Sequence, residues 1–133
     1  MAVDYGTKRV GLAVTDPLKI IASALGTVRA HEVIAYLKNY FLKEQVECIV
    51  VGKPLQMDGS DSESAKHVEI FISSLAKNFP ELPVKRVDER LTSRMAQASM
   101  LEMGMKKKDR QVKGNVDQIS AVLILQTYLE MNP

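Results

Sequence analysis

The apolar positions along the chain first recur every second residue and later at helical spacing. After the short opening MAV, polar residues break in at Asp4-Tyr5-Gly6-Thr7, and RVGLAVT over 9–15 resumes with Val10, Leu12 and Val14 on one side and Gly11 and Ala13 on the other. A period of two marks a strand with one face toward a core. Here the second face is small enough for close packing. Asp16-Pro17 ends the strand, because a residue before proline is pushed out of helix. A further strand spans about 20–30, IIASALGTVRA. Three strands joined by short turns predict an antiparallel meander.

From His31 to about Val46 the period lengthens, with Val33, Ile34, Leu37, Phe41 and Leu42 at helical spacing. CIVVG, 48–52, is the continuous apolar run expected of a strand buried on both faces of a parallel sheet. In KPLQMDGS, Pro54 and Asp58-Gly59 mark a loop, and Ser60 and Glu63 have capping-box spacing for a helix reaching about Asn78. Its inward positions are Val68, Phe71, Ile72 and Leu75. Pro80 and Pro83 bracket a turn, and VKRVDE over 84–89 is the last strand. Thr92 or Ser93 then caps a Met-rich helix that stops at Gly104. The basic loop MKKKDRQVKG leads to Asn115, and a final helix, VDQISAVLILQTYLEM, is apolar on a broad face. The order β-β-β-α-β-α-β-α-α predicts one α/β domain over 1–133, a mixed sheet with helices on both faces.

Composition narrows the function. Eighteen basic against sixteen acidic residues leave +2, too little to imply a nucleic-acid partner by itself, so the distribution of charge matters more. The single cysteine, Cys48, rules out a disulfide within the chain and fits a reducing cytoplasm. Within CIVVG it reads as a small hydrophobe. No Cys/His cluster has zinc spacing, and His31 and His67 stand alone, in exposed or locally capping positions. No run reaches the ~18 apolar residues of a membrane span, and there is no signal-peptide pattern at the start. The expectation is a cytoplasmic protein with no membrane partner.

The carboxylates set the chemistry. Asp4 interrupts an apolar strand, where an unpaired carboxylate is costly. Alone, a D-x-G is an ordinary turn. Asp88-Glu89 alone are a polar strand end, and Asp117 alone, in the first turn of the last helix, favours the helix dipole by about 0.3–1 kcal/mol. Together they converge. Strands in parallel crossovers end on one edge, where ligands bind. Asp4 and the Asp88/Glu89 pair lie at strand C-termini, and Asp117 reaches the same place if the last helix packs across the sheet. Side chains alternate, so only one of Asp88 and Glu89 faces the site. Converging carboxylates repel unless a cation sits among them, and hard Mg²⁺ or Mn²⁺ takes such oxygen donors. The expected ligands are Asp4, Asp117 and one of the pair, Glu89 or Asp88. Such an ion activates water against a phosphodiester.

Four blocks, AVDYGTKRVGLAVTDP, VVGKPLQMDGS, VDERLTS and VDQISAVLILQ, in this order and covering essentially the whole chain, resemble the YqgF/RuvX family of Holliday junction resolvases and pre-16S rRNA nucleases. The resemblance implies a ribonuclease-H-like fold with a five-stranded sheet. It implies metal-dependent hydrolysis of phosphodiesters in the bacterial cytoplasm, in maturation of the 16S rRNA 5′ end. Asp4, Asp88, Glu89 and Asp117 match the family's catalytic acids. Arg90 and Thr92 complete the D-E-R-L-T block, and Lys8 and Arg9 match the basic pair after the first turn, with Gly6 leaving room for substrate backbone. Two departures stand out. Family members carry several residues before the first apolar run, whereas Asp4 is almost at the start here. Lys53 stands where an apolar residue is expected, adding positive charge at the mouth of the site.

Further along, Lys106, Lys107, Lys108, Arg110 and Lys113 form a basic run opposed by Asp109 and leading into the helix of Asp117. It reads as a solvated face or as a contact to substrate phosphates. Rival readings remain. Branched DNA is the alternative to precursor rRNA. A nucleic-acid-binding module without chemistry keeps the fold but has no use for the acids. An actin-type ATPase shares D-x-G-T but binds nucleotide between two such domains. A monomer is expected, because the apolar helix faces are used by one small sheet; symmetric cleavage of a junction would want a dimer.

Overall fold

A computed structural model of the chain describes residues 1–18, 21–54, 64–89 and 113–131, with the backbone alone for 113–117. The meander forms as the alternation predicts. β1 (Ala2–Tyr5) pairs antiparallel with β2 (Arg9–Thr15), and β2 with β3 (Ala22–Arg29). A 3-10 turn, Ala30–Glu32, leads into α1 (Val33–Lys43). β4 (Ile49–Lys53) then lies parallel to β1, and after α2 (Ala65–Asn78), β5 (Val84–Asp88) lies parallel to β4. The last described helix is α3 (Lys113–Met131). The sheet order is β3-β2-β1-β4-β5.

Strand alternation divides the core in two. Val3, Val10, Leu12 and Val51 cluster with Val33 and Leu37 of α1 and with Val68, Phe71 and Leu75 of α2. The neighbouring positions Ala2, Ala13, Ala22, Val50 and Val87 cluster with Ala121, Ile124 and Leu125 of α3. Fully burying a Leu or Val contributes about 1.5–3 kcal/mol, so the first cluster carries much of the stability. The small second face receives a helix that is buried around much of its girth. The Thr127 hydroxyl, buried within α3, donates to the Leu123 carbonyl at 2.8 Å.

The ladder of β3 has one irregularity. Leu12 faces Gly26 but Ala13 faces Ala24, so Leu25 is an extra residue. A bulge of this kind turns the rest of the strand over. Ala22 and Ala24 face α3 before it, and Thr27 and Arg29, opposite Gly11 and Arg9, face the same way after it.

Several boundaries differ from expectation. α1 stops at Lys43 rather than Val46, since Glu44 is extended and Val46 packs on the core from the loop beyond. Leu42, expected inward, is 84% exposed, because Val33, Leu37 and Phe41 already occupy the inward stripe. β3 starts at Ala22, with Ile21 exposed ahead of it. α2 starts at Ala65 after Ser64, later than a cap at Ser60 implies. α3 starts at Lys113, so the end of the predicted basic loop is helical, and Asp117 lies in the second turn rather than the first. The helix-dipole effect fades within one turn, which weakens that reading of Asp117. The Ser60/Glu63 box, the Met-rich helix and residues 105–112 of the basic loop lie outside the described residues.

Candidate active site

β1, β4 and β5 run parallel and end on one edge. Asp4 is the penultimate residue of β1, and Glu89 follows the last residue of β5. Alternation puts Asp4 on the α3 face, between Val3 and Tyr5 on the other. Tyr5 stacks on Phe71 of α2, with ring centroids 4.4 Å apart, and so pins the strand end that carries Asp4. In β5, Val87 faces α3, and Glu89 follows it two residues on. β4 lies between β1 and β5, and its residue at this level is Gly52. A Cβ on Gly52 would come within 2.8 Å of Glu89 Cδ and of Ile124 Cδ1. The Glu89 side chain therefore crosses β4 over a glycine, with Ile124 of α3 beside it, and hydrogen-bonds the Asp4 carboxyl.

A hydrogen bond between two carboxyl groups needs a proton on one of them. The Glu89 pKa is raised, chiefly by burial and further by the Asp88 charge, while the hydrogen bond with Asp4 and the Arg86 charge pull it the other way. The donors are hard oxygens on two rigid strands, and the pair is held together only when a positive charge, a proton at minimum, sits between them. That chemistry fits a divalent cation.

Asp88 takes the other face by alternation, the face on which Arg86 reaches α2. Arg86 Nη1 donates to Glu69 Oε1 at 2.7 Å, and its Nε to the Val51 carbonyl at 3.3 Å. The guanidinium thus lies under the acid pair, and its buried Nη2 has no hydrogen-bond partner among the described residues. Arg86 was missed by sequence reasoning. Its signal is position, two residues before Asp88 on the same strand face.

The remaining candidates are dispersed. Gly6 is required by its own turn, where a Cβ would sit 2.6 Å from the Arg9 carbonyl oxygen. Lys8 is exposed and Arg9 half-buried at the start of β2. Lys53 is exposed at the end of β4, in register with Asp88. Lys113 opens α3 and Asp117 follows on its backbone. Arg90, Thr92, Lys106, Lys107, Lys108 and Arg110 lie outside the described residues. His31 and His67 are exposed, and Cys48 is half-buried with its Sγ 4.0 Å from the Tyr128 hydroxyl.

A mixed sheet ordered β3-β2-β1-β4-β5, with helices on both faces and acids at the C-terminal ends of β1 and β5, is a ribonuclease-H-like architecture. The chain belongs to the RuvX family, described as Holliday junction resolvase, whose model matches residues 1–131. It is 55% identical over 130 residues to a Bacteroides thetaiotaomicron protein named "Putative pre-16S rRNA nuclease", covering 98% of this chain and 94% of that one. Proteins of the same name from Christiangramia forsetii and Porphyromonas gingivalis are 54% and 50% identical, over 97% and 100% of this chain and 96% of each relative. Among the described residues no helix is long and apolar enough to cross a membrane.

Proposed function

We propose that this protein is a metal-dependent nuclease that cuts precursor 16S rRNA near its 5′ end. The observation that carries the reading is the Asp4–Glu89 carboxyl pair, brought together across Gly52 at the sheet edge. The rRNA substrate is taken from the relatives' name, and a cytoplasmic location goes with it. Asp4 and Glu89 would hold Mg²⁺ or Mn²⁺. Asp117 is the third candidate ligand, because positions 117 and 124 are two helical turns apart on one face of α3 and Ile124 touches the site. Bound there, such an ion supplies Lewis acidity at the phosphate and a water of lowered pKa.

The chain's own residues do the rest. β1 and β5 hold the two carboxylates in fixed apposition, and Ile124 screens one side of Glu89 from water. Arg86 limits the charge of the acid cluster. Lys8, Arg9 and the basic run 106–113 draw in the phosphate backbone, which adds affinity without sequence preference. A single site per monomer suits one flexible strand. The family description favours a second substrate, branched DNA.

The test sets a labelled precursor-rRNA 5′ segment beside an immobile four-way DNA junction, each with purified protein and Mn²⁺ or Mg²⁺. Cleavage of the RNA that is lost in Asp4→Asn and with EDTA is expected. Paired symmetric nicks in the junction, with intact RNA, would replace the reading with a dimeric resolvase.

A further inference from the structure

Arg9 and Arg29 are directly opposite each other in the β2–β3 ladder. Like charges so placed destabilise a sheet, and here the placement depends on the bulge at Leu25. Without that extra residue Arg29 would face α1 and α2; with it, Arg29 faces the same side as Arg9, Asp4 and Glu89. Bulges are enriched beside active sites, where they re-aim side chains. Asp4 faces Gly11, and Arg9 is two residues from Gly11 on that strand, so Arg9 is the diagonal neighbour of Asp4, at roughly 7–8 Å.

The arginine pair borders a groove of about 570 Å³ lined by Thr7, Lys8, Arg9, Thr27, Val28, Arg29 and His31. Its walls are tied together: the Ala30 amide donates to the Lys8 carbonyl at 3.0 Å, fastening the end of β3 to the β1–β2 turn. Glu32, at the rim, is exposed and lies 3.5 Å from His31. The lining thus carries three permanent cations on a fixed backbone.

We propose that Arg9 and Arg29 form a cradle for a backbone phosphate of the nucleic acid, beside the phosphate at the acid pair, with Lys8 and His31 at its rim. The proposal rests on the nuclease reading for its ligand and adds Arg29, which lies in none of the family's motif blocks. Two guanidinium forks facing one slot suit a phosphate, which accepts hydrogen bonds on several oxygens at once. An anion between the two guanidinium groups offsets their mutual repulsion.

The test uses the full chain, without divalent metal so that nothing is cut. Fluorescence anisotropy with a 5′-labelled single-stranded RNA, and calorimetry with inorganic tripolyphosphate, compare wild type with Arg29→Gln, Arg29→Lys and, as a charge-matched control on α2, Lys77→Gln. Arg29→Gln is expected to bind RNA roughly tenfold more weakly. Its log-log salt dependence flattens by about 0.7 for the lost contact, and tripolyphosphate affinity falls with it. Arg29→Lys recovers part of both, and Lys77→Gln neither. In cleavage assays KM rises while kcat holds, and in low salt without ligand Arg29→Gln melts no lower than wild type. If Arg29→Gln matches wild type in affinity and slope while cleavage persists, the cradle is overturned and the nuclease reading stands. If Arg29→Gln loses tripolyphosphate but wild type cuts no nucleic acid, the cradle stands and the nuclease reading falls.

Discussion

The two faces of the sheet are built from alternate residues of the same strands, yet they do different work. On the α1–α2 face Val3, Val10, Leu12 and Val51 pack against Leu37, Phe71 and Leu75. On the α3 face the positions one step along are Ala2, Asp4, Gly11, Ala13 and Gly52. Large side chains fill the middle of the first face, and its polar groups, Arg86 and Glu69, pair at the β5 side. Small ones on the second let α3 approach and leave space in which two carboxyl groups meet. Val3 beside Asp4, and Val51 beside Gly52, show the division at single-residue resolution. Stability and chemistry are separated by the pleat of the strand, so substitutions on the two faces are expected to have different consequences.

The largest effect is expected from Asp4→Asn. It keeps the size of the side chain and removes a ligand charge, so cleavage of the precursor segment should fall by roughly a thousandfold or more, the scale of several kcal/mol of charge stabilisation. Stability should hold or rise, because the repulsion between Asp4 and Glu89 is relieved. Initial rates and thermal melting on one preparation measure both, and near-wild-type cleavage would remove the chemistry from this face. The opposite pattern is expected from Leu37→Ala, on the α1–α2 side. Leu37 is fully buried, and its truncation should cost about 2–5 kcal/mol in urea unfolding, with cleavage per folded molecule unchanged.

Much of this division was legible in the sequence. The alternation of RVGLAVT, with Gly11 and Ala13 as the small side, anticipated the face that receives α3. The continuous run CIVVG anticipated a strand buried on both sides. Asp4 and the Asp88/Glu89 pair were legible as strand-end acids because they break apolar runs. Which of the pair turns toward Asp4 was not, because it depends on where β5 pairs with β4, and the register is a tertiary property. The β3 bulge was hidden for the same reason: ASALGTVR has no alternation sharp enough to show one residue out of step. Arg29 therefore gave no signal, and Arg86 was hidden in an ordinary-looking strand. The inward stripe of α1 was misjudged at Leu42, because Val33, Leu37 and Phe41 already fill it.

Gly52→Ala sharpens the comparison at a smaller scale, by adding one methyl to the α3 face. The new Cβ would meet Glu89 and Ile124 each at 2.8 Å, so both side chains must move. Overpacking of this kind costs about 1–3 kcal/mol. Displacing the Glu89 carboxylate by about 1 Å can cost on the order of a hundredfold in rate. Activity should fall further than the stability loss explains, as measured by cleavage rate under conditions where circular dichroism shows the protein folded. A stability loss with full activity would mean that the position of the Glu89 carboxylate over Gly52 does not matter to cleavage.

The smallest effect concerns the titration of Glu89 on the α3 face. Glu89 has a raised pKa in the folded protein, through burial first and then the Asp88 charge, with Asp4 and Arg86 pulling the other way. In the unfolded chain it titrates near the ordinary 4.5. Between those two values the folded state keeps a proton that the unfolded state has lost. Unfolding then releases a proton, and stability falls as pH rises through the window. Below the window both states are protonated and the contribution is complete; above it both are ionised and the contribution is gone. Urea unfolding without divalent metal, run from pH 4 upward, should show this decline in wild type and its loss in Glu89→Gln, where no proton is exchanged. Added Mn²⁺ should restore stability most at the upper end, because the ion takes the proton's place between the carboxylates. Identical pH profiles for wild type and Glu89→Gln would mean that the Asp4–Glu89 contact is not the proton-holding pair described above.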